Sequence, residues 1–180
     1  MVTIFATGDG IAYSTTEGAI LAFDIGYTFI TDRSAADVDR WKELHDKGWA
    51  AMTEAERTEW ANGMKGAYNY TDMNRVESAV ADMTARFAEI GTVLTLTTKT
   101  DWSRTEWPTR SDMSRYFGNV EALRRATGIS LNAPATPTVD ARFDYRKAND
   151  LEEILLAVAR WLDSVEESWY YSGELKSGEV

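Results

Sequence analysis

The chain contains one histidine, His45, which lies near the predicted end of a helix beside Asp46 and Lys47. Histidine is the usual general base near neutral pH, so it is the first residue to consider for acid–base chemistry. A single histidine at a helix end is, however, typical of a surface residue that complements the helix dipole. We therefore predict no Ser-His-Asp relay and assign no catalytic residue.

Pairs of carboxylates are the second source of chemistry, because glycoside hydrolysis needs two acids about 5–9 Å apart that can come from anywhere in the sequence. On predicted helices such acids are expected to be solvated, and only a buried carboxyl group with a raised pKa would indicate an acid–base role. A cell-wall hydrolase therefore stays open as an alternative. The pairs are Glu54 with Glu56, Glu152 with Glu153, and Glu166 with Glu167.

Metal and cofactor motifs are weak in this sequence. There is no cysteine, and a zinc site needs clustered histidines or cysteines. Asp72, Asn74 and Glu77 offer oxygen ligands, but they lack the glycine and the acidic spacing of a calcium-binding loop. We interpret them as a helix cap and first-turn complement to the helix dipole, and we predict no metal site and no cofactor.

The Gly63-Met64-Lys65-Gly66 stretch has the form of the GXXG loop that clamps nucleotides in KH domains. A net charge of −10 opposes binding to a phosphate backbone, and eight acidic against two basic residues from Asp150 to Val180 increase that opposition. We interpret the two glycines as the end of a helix and predict no nucleic-acid partner.

Aromatic side chains are the remaining candidates, because exposed Trp and Tyr stack on sugars and anchor protein interfaces. Trp41, Trp60 and Trp161 occupy core-type positions of predicted helices, where packing is expected. Five other aromatic residues lie in connectors or in the C-terminal tail, where helical periodicity does not require burial. They are the predicted binding residues: Trp102, Trp107, Trp169, Tyr170 and Tyr171.

About five helices are expected to position these residues. Capping-box patterns begin helices after Ser34, Thr53 and Thr109, and Thr71 is the predicted cap of the third helix. The fifth helix is predicted from about Tyr145 to Ser168. Apolar residues follow helical spacing in the third, fourth and fifth helices: Met73, Val76, Val80, Met83, Phe87, Ile90; Met113, Tyr116, Val120, Leu123; Leu151, Ile154, Leu155, Val158, Trp161, Leu162, Val165.

Short strands are predicted in two β-favouring runs, Val2–Ala6 and Ile20–Ile30, and in Val93–Thr98, whose apolar and polar residues alternate. A strand-like end is predicted at the C-terminus. The fold class is therefore mainly α, with a minor β component. The expected organisation is a β-rich segment (1–33), a helical domain (34–168) and an extended aromatic and acidic tail (169–180).

The N-terminus does not have the basic and apolar regions of a signal peptide, and no apolar run approaches the ~20 residues of a spanning helix. We predict synthesis in a bacterial cytoplasm and no membrane partner.

Five stretches together resemble a family of small, mostly uncharacterised proteins encoded in tailed-phage and prophage regions of gut Firmicutes, usually among tail or tail-fibre genes. The resemblance covers about residues 31–175 and implies a virion-associated or interaction role without naming a site. The stretches are MTEAERTEW, GMKGAYNYTDMNRVESAV, TDW with WPTRSDMSRYFGNVEALR, KANDLEEIL and WYYSGEL.

From the resemblance we expect a non-enzymatic tail-associated structural or adaptor protein, forming a homo-oligomer or binding other phage tail proteins. The first alternative is a tail-fibre module that binds a cell-surface glycan through the connector and tail aromatics. The second is the cell-wall hydrolase.

Overall fold

A computed structural model describes the backbone of residues 3–7, 10–14, 20–23, 27–139 and 142–174, and the side chains of residues 27–139 and 142–168. Within these residues the chain is mainly helical, with five α-helices, in agreement with the fold class expected from sequence. The helices are α1 (Ala35–Lys47), α2 (Glu54–Ala61), α3 (Tyr70–Glu89), α4 (Arg110–Ala126) and α5 (Tyr145–Glu174), and a 3₁₀ turn, Trp49–Ala51, follows α1.

Three short antiparallel strands precede the helices, β1 (Thr3–Thr7), β2 (Gly10–Ser14) and β3 (Ile20–Phe23), in the order β1-β2-β3. Thr3 lies opposite Ser14, and Ile11 lies opposite Phe23. Residues 27–30, which the sequence predicts as the end of a strand from Ile20 to Ile30, are not in a strand. Residues 24–26 lie outside the described residues.

Capping boxes begin α1, α2 and α4 at Ser34, Thr53 and Thr109, as predicted. A fourth box begins α3, and there the predicted cap was wrong by two residues. Asn69, not Thr71, is the cap: its side chain accepts from the Thr71 amide, while the Asp72 carboxylate accepts from the Asn69 amide. An Asn cap satisfies the same free amide groups as Ser or Thr.

Helices α3, α4 and α5 form the apolar core, because each presents one apolar stripe to the other two. Most residues of the predicted apolar stripes lie in this core, with Met113, Trp161 and Ile90 at its partly buried edges. Met73 is buried and Val165 is half-buried, but neither belongs to the cluster. The fully packed cluster contains Val76, Val80, Met83, Phe87, Tyr116, Phe117, Val120, Leu123, Leu151, Ile154, Leu155, Val158, Ala159 and Leu162.

Helices α1 and α2 form a smaller hairpin that relies more on polar and aromatic contacts. The rings of Trp41 and Trp60 stack with centroids 6.4 Å apart, and the Arg40 guanidinium donates to Glu59 at 2.8 and 3.1 Å. Only Leu44 of α1 is buried, and α2 contributes no buried residue. The hairpin therefore encloses far less apolar surface than the three-helix core.

The two glycines after α2 have different roles. Gly63 has a φ of +85°, a conformation that favours glycine and ends the helix as predicted. Gly66 does not end a helix: a Cβ atom there would overlap the carbonyl of Asp37 and lie 2.7 Å from the Val38 nitrogen. Gly66 thus allows the chain to pass directly against the first turn of α1.

The predicted strand at Val93–Thr98 is wrong, since residues 91–109 contain no strand. The alternation itself is real: Val93, Thr95 and Thr97 are exposed, whereas Leu94 and Leu96 are half-buried against the core. Polar side chains of α3 and α4, described below, bind this backbone in place of a neighbouring strand.

The C-terminal end is helical further than predicted. Helix α5 continues to Glu174, six residues beyond Ser168, so the first part of the segment predicted as an extended tail is helix. Residues 175–180 lie outside the described residues.

Candidate functional site

Four charged side chains meet where the chain enters α1. We call Arg33, Asp72, Arg75 and Glu152 the ion square, because positive and negative groups alternate around it. Arg33 lies 3.0 Å from Asp72 and 2.8 Å from Glu152, and Arg75 lies 3.0 Å from Asp72 and 2.7 Å from Glu152. The square is neutral, and Glu152 and Arg33 are almost completely buried within it. Neutrality is what makes such burial tolerable.

Glu152 is the carboxylate whose sequence interpretation was wrong: it is 0% exposed, whereas its neighbour Glu153 is exposed, as predicted. Burial raises its pKa, and the amide of Ile30 and the charges of Arg33 and Arg75 oppose that rise. Both oxygens are occupied: Oε1 by the two arginines and Oε2 by Arg75 and the Ile30 amide at 2.7 Å. Neither oxygen is free to contact a reactant. The carboxylate instead links α5 to α3 and to the segment that contains Ile30 and Arg33.

Residues 27–33, which we call the first strap, are held on α3 and α5 by this square. The Arg33 guanidinium donates to the Ile30 carbonyl at 2.6 Å and lies 5.1 Å from the centre of the Tyr68 ring. Tyr27, at the other end, donates its hydroxyl to Asp82 of α3. The strap is therefore attached at both ends and in its middle.

A second buried carboxylate, Glu77 of α3, organises the other irregular segment. Arg115 of α4 donates to both Glu77 oxygens, at 2.6 and 2.8 Å, and to the carbonyl of Thr97 at 2.8 Å. The amide of Lys99 donates to Glu77 at 3.1 Å, and Asn119 donates to the Thr97 carbonyl at 2.8 Å. We call residues 94–102 the second strap.

Each strap ends in an asparagine clamp, in which one side-chain amide binds both the N–H and the carbonyl of a single residue. Asn149 of α5 accepts from the Arg33 amide at 3.1 Å and donates to its carbonyl at 2.9 Å. Asn74 of α3 does the same to Trp102, at 2.7 and 2.9 Å. The clamps satisfy backbone groups that a neighbouring strand would otherwise satisfy.

Trp102, a predicted binding residue, is only 5% exposed. The Lys99 ammonium lies 4.8 Å from its ring centre, and its indole nitrogen is buried without a hydrogen-bond partner among the described residues. Trp102 is thus buried at the end of the second strap, with Lys99 over its ring. Its burial does not support the predicted ligand-binding role, because periodicity gives no information on packing within a connector.

Trp107, in contrast, is 86% exposed, the largest exposure among the described large apolar residues. The predicted binding residues Trp169, Tyr170 and Tyr171 lie in the last turns of α5, and their side chains are outside the described residues. The structure therefore does not bring the five predicted residues into one site within its described part.

The helical spacing of the sequence indicates that two of the acidic residues are buried. Glu152 lies four residues after Ala148 and three before Leu155, both fully buried, so it falls within the apolar stripe of α5. Glu77 lies four residues after Met73 and three before Val80 in the same way. An acid inside an apolar stripe indicates burial with a basic partner, although spacing cannot identify that partner.

The described residues contain no group of three or more acidic or histidine side chains that could hold a metal ion. His45 is exposed and lies 3.1 Å from Asp46, with its ring 5.1 Å from the Trp41 ring. None of the helices in the described ranges combines the length and apolar character of a membrane span.

No protein-family model, no curated protein and no solved structure matches the chain.

Proposed function

We propose that this chain is a non-enzymatic structural or adaptor module that binds another protein through Trp107. The observation that carries the proposal is the 86% exposure of this side chain on a connector that is fixed at both ends. Large aromatic side chains presented in a rigid setting are frequent anchors of protein interfaces, because little conformational entropy is lost when they bind.

Internal contacts hold the connector between Trp102 and Thr109. The Ser103 amide donates to the Glu106 carboxylate at 2.7 Å, and the Glu106 amide donates to the Ser103 carbonyl at 3.1 Å. These two bonds close a tight turn immediately before Trp107.

Contacts at the two ends of the connector complete the support. Lys99 bridges Asp101 and Glu106 at 2.9 and 3.1 Å, and the Asn74 clamp holds the backbone of Trp102. On the other side Thr109 caps α4. Trp107 is therefore carried by a short segment whose flanks already have defined positions.

The resemblance to phage and prophage tail-region proteins supports tail association and a homo-oligomer or another tail protein as the partner. A tail component follows the symmetry of the tail, so repeated copies would present repeated Trp107 side chains. Association with the virion follows from the same proposal.

Sedimentation of the purified full-length chain over a wide concentration range, together with mass spectrometry of virions, tests the proposal. We expect self-association or a virion-bound pool, and Trp107→Ala should weaken either one by at least tenfold. Trp49→Ala is the matched control, because Trp49 is 55% exposed but lies on the hairpin. A chain that stays monomeric at high concentration and is absent from virions would overturn the proposal.

A glycan is the alternative ligand for the same side chain, since an exposed indole also stacks on a sugar ring. The hydroxyls of Ser103 and Thr105, 3.2 Å apart in the same connector, favour this alternative because they offer polar partners for sugar hydroxyls. Binding to a cell-wall glycan array that is lost in Trp107→Ala, without self-association, would select the glycan-binding module over the adaptor.

A further inference from the structure

We propose that the first strap, residues 27–33, is a releasable latch that detaches from α3 and α5 as one unit while the three-helix core stays folded. Release would detach residues 27–33 from the helical body. The inference rests on the contacts of the strap and does not depend on Trp107 or on the proposed function.

The latch is held mainly by side chains of α3 and α5 that contact its backbone and its arginine, and Lys65, between α2 and α3, also pairs with Asp32 at 2.5 Å. Glu152 accepts from the Ile30 amide, Asn149 clamps Arg33, and Asp72 and Glu152 bind the Arg33 guanidinium. None of the described strands pairs with the strap. Opening the latch therefore breaks side-chain contacts only and leaves the backbone hydrogen bonds of α3 and α5 intact.

The ion square makes these attachments cooperative. Arg33 is the only member of the square that the strap supplies; the other three belong to α3 and α5. When Arg33 leaves, the remaining three groups carry a net negative charge, so partial withdrawal is unfavourable at a buried site. The Ile30 and Arg33 contacts should accordingly form and break together.

The latch buries fewer apolar contacts than the three-helix core. Its apolar contributions are Tyr27 and Phe29, which are partly buried against the core, whereas all fourteen fully packed residues of the core cluster come from α3, α4 and α5. The square also contains uncompensated donors, since the Nε atoms of Arg33 and Arg75 are buried without partners among the described residues. Segments with fewer buried apolar contacts open at lower free energy than the global transition.

Native-state hydrogen exchange on the full-length chain tests the latch, because its two reporter amides donate to side chains. These are the Ile30 amide, bound by Glu152, and the Arg33 amide, bound by Asn149. In the wild type both should exchange through a single opening that is more frequent than the opening of core amides such as those of Val80 and Leu155.

The decisive variant is Asn149→Ala, which removes the clamp on Arg33 and leaves Glu152 in place. A latch predicts that protection falls about tenfold at both Ile30 and Arg33, while Val80 and Leu155 are unchanged. Asn74→Ala is the matched control: it removes the equivalent clamp on Trp102 and should leave both reporter amides unaffected.

Two results would overturn the inference. Loss of protection at Arg33 alone would mean that the contacts are independent, and an equal loss at the strap and core amides would mean that the strap unfolds only with the whole domain. Asn149→Ala lies in a helix, where alanine is favourable, so the variant should fold.

Discussion

In both straps, the same types of side chain bind the backbone of an irregular segment, but these side chains are buried to different extents. In each, a buried glutamate accepts a backbone amide, an arginine donates to a backbone carbonyl, and an asparagine clamps one residue. The first strap supplies its own arginine, Arg33, with a side chain 1% exposed, whereas Arg115 of the second comes from α4 and is 23% exposed. We therefore expect burial, and not the choice of contacts, to set the free-energy cost of removing one of these side chains.

Replacing the arginine of each strap should give the largest difference in the free energy of unfolding between the two straps. Arg33→Met leaves Asp72 and Glu152 with one guanidinium in a buried site, and we expect a loss of about 4 kcal/mol in the free energy of unfolding. Arg115→Met leaves the buried Glu77 with the Lys99 amide, but Arg115 is 23% exposed, so water can approach the carboxylate from that side and the loss should be smaller, about 1–2 kcal/mol. Urea denaturation measures both values.

Equal losses would show that the two straps do not differ in effective burial. A double variant sharpens the test, because Arg33→Met with Glu152→Gln restores a neutral site formed by Asp72 and Arg75. The double loss should be smaller than the sum of the single losses by at least 1 kcal/mol.

The end of the second strap and the connector after it contain one buried and one exposed tryptophan. Trp102→Ala should cost about 3 kcal/mol, because it leaves a cavity in place of the buried ring. Trp107→Ala should change the free energy of unfolding by less than about 0.5 kcal/mol, since its side chain is exposed. Thermal and urea unfolding of the two variants check this, and a large loss for Trp107→Ala would assign it to folding instead of binding.

Gly66 tests how closely the chain after α2 must pack against α1, the helix that directly follows the first strap. Gly66→Ala forces a Cβ atom onto the Asp37 carbonyl, and we expect a loss of about 2 kcal/mol. The matched control is Gly118→Ala in α4, where a Cβ atom meets nothing within 4 Å, and it should stabilise by about 0.5–1 kcal/mol. A neutral Gly66→Ala would mean that α1 shifts without cost.

Acid should affect the stability of the two regions differently, because the pKa values of their carboxyl groups are shifted in opposite directions. The Ser103 amide, with Lys99, lowers the pKa of Glu106, and Lys99 lowers the pKa of Asp101. The stability that these two groups contribute is therefore present above their unfolded-state pKa values and is lost as the pH falls through their folded-state pKa values. Burial raises the pKa of Glu152, so its contribution is favourable below the unfolded-state pKa and declines as the pH rises through the folded one.

Acidification below about pH 4.5 should therefore remove the stability that Glu106 and Asp101 contribute to the connector, whereas protonation of Glu152 should not add to that loss. Unfolding temperatures between pH 6 and 3 test this: Glu106→Gln should show a shallower acid loss than the wild type. Since Glu106 is exposed, this is the smallest expected effect, and an unchanged pH dependence would contradict it.

The helices could be read from sequence because their signals are local. Ser34, Thr53 and Thr109 are followed three residues later by an acid, and the apolar seams repeat at helical spacing, so starts and faces were both predicted. Val93–Thr98 shows the limit: its alternation matches the exposure pattern, since Leu94 and Leu96 lie against the core, but alternation cannot tell whether a strand or side chains will bind the backbone.

The candidate site was less predictable for a related reason. Glu152 was interpreted as one of a solvated pair, and Trp102 and Trp107 were treated alike although one is buried and the other is exposed. Each of these differences depends on residues distant in the chain: Arg33 is 119 positions from Glu152, and Asn74 is 28 from Trp102.

The sequence by itself determined the helical class, three of the four capping boxes and the apolar faces, because caps and periodicity act within a few residues of one another. Only the tertiary structure decided which charges are buried together, which segment replaces a strand and which tryptophan reaches solvent. These outcomes depend on charge neutralisation and backbone hydrogen bonding between α3, α4, α5 and the two straps, and such contacts exist only after the helices have packed.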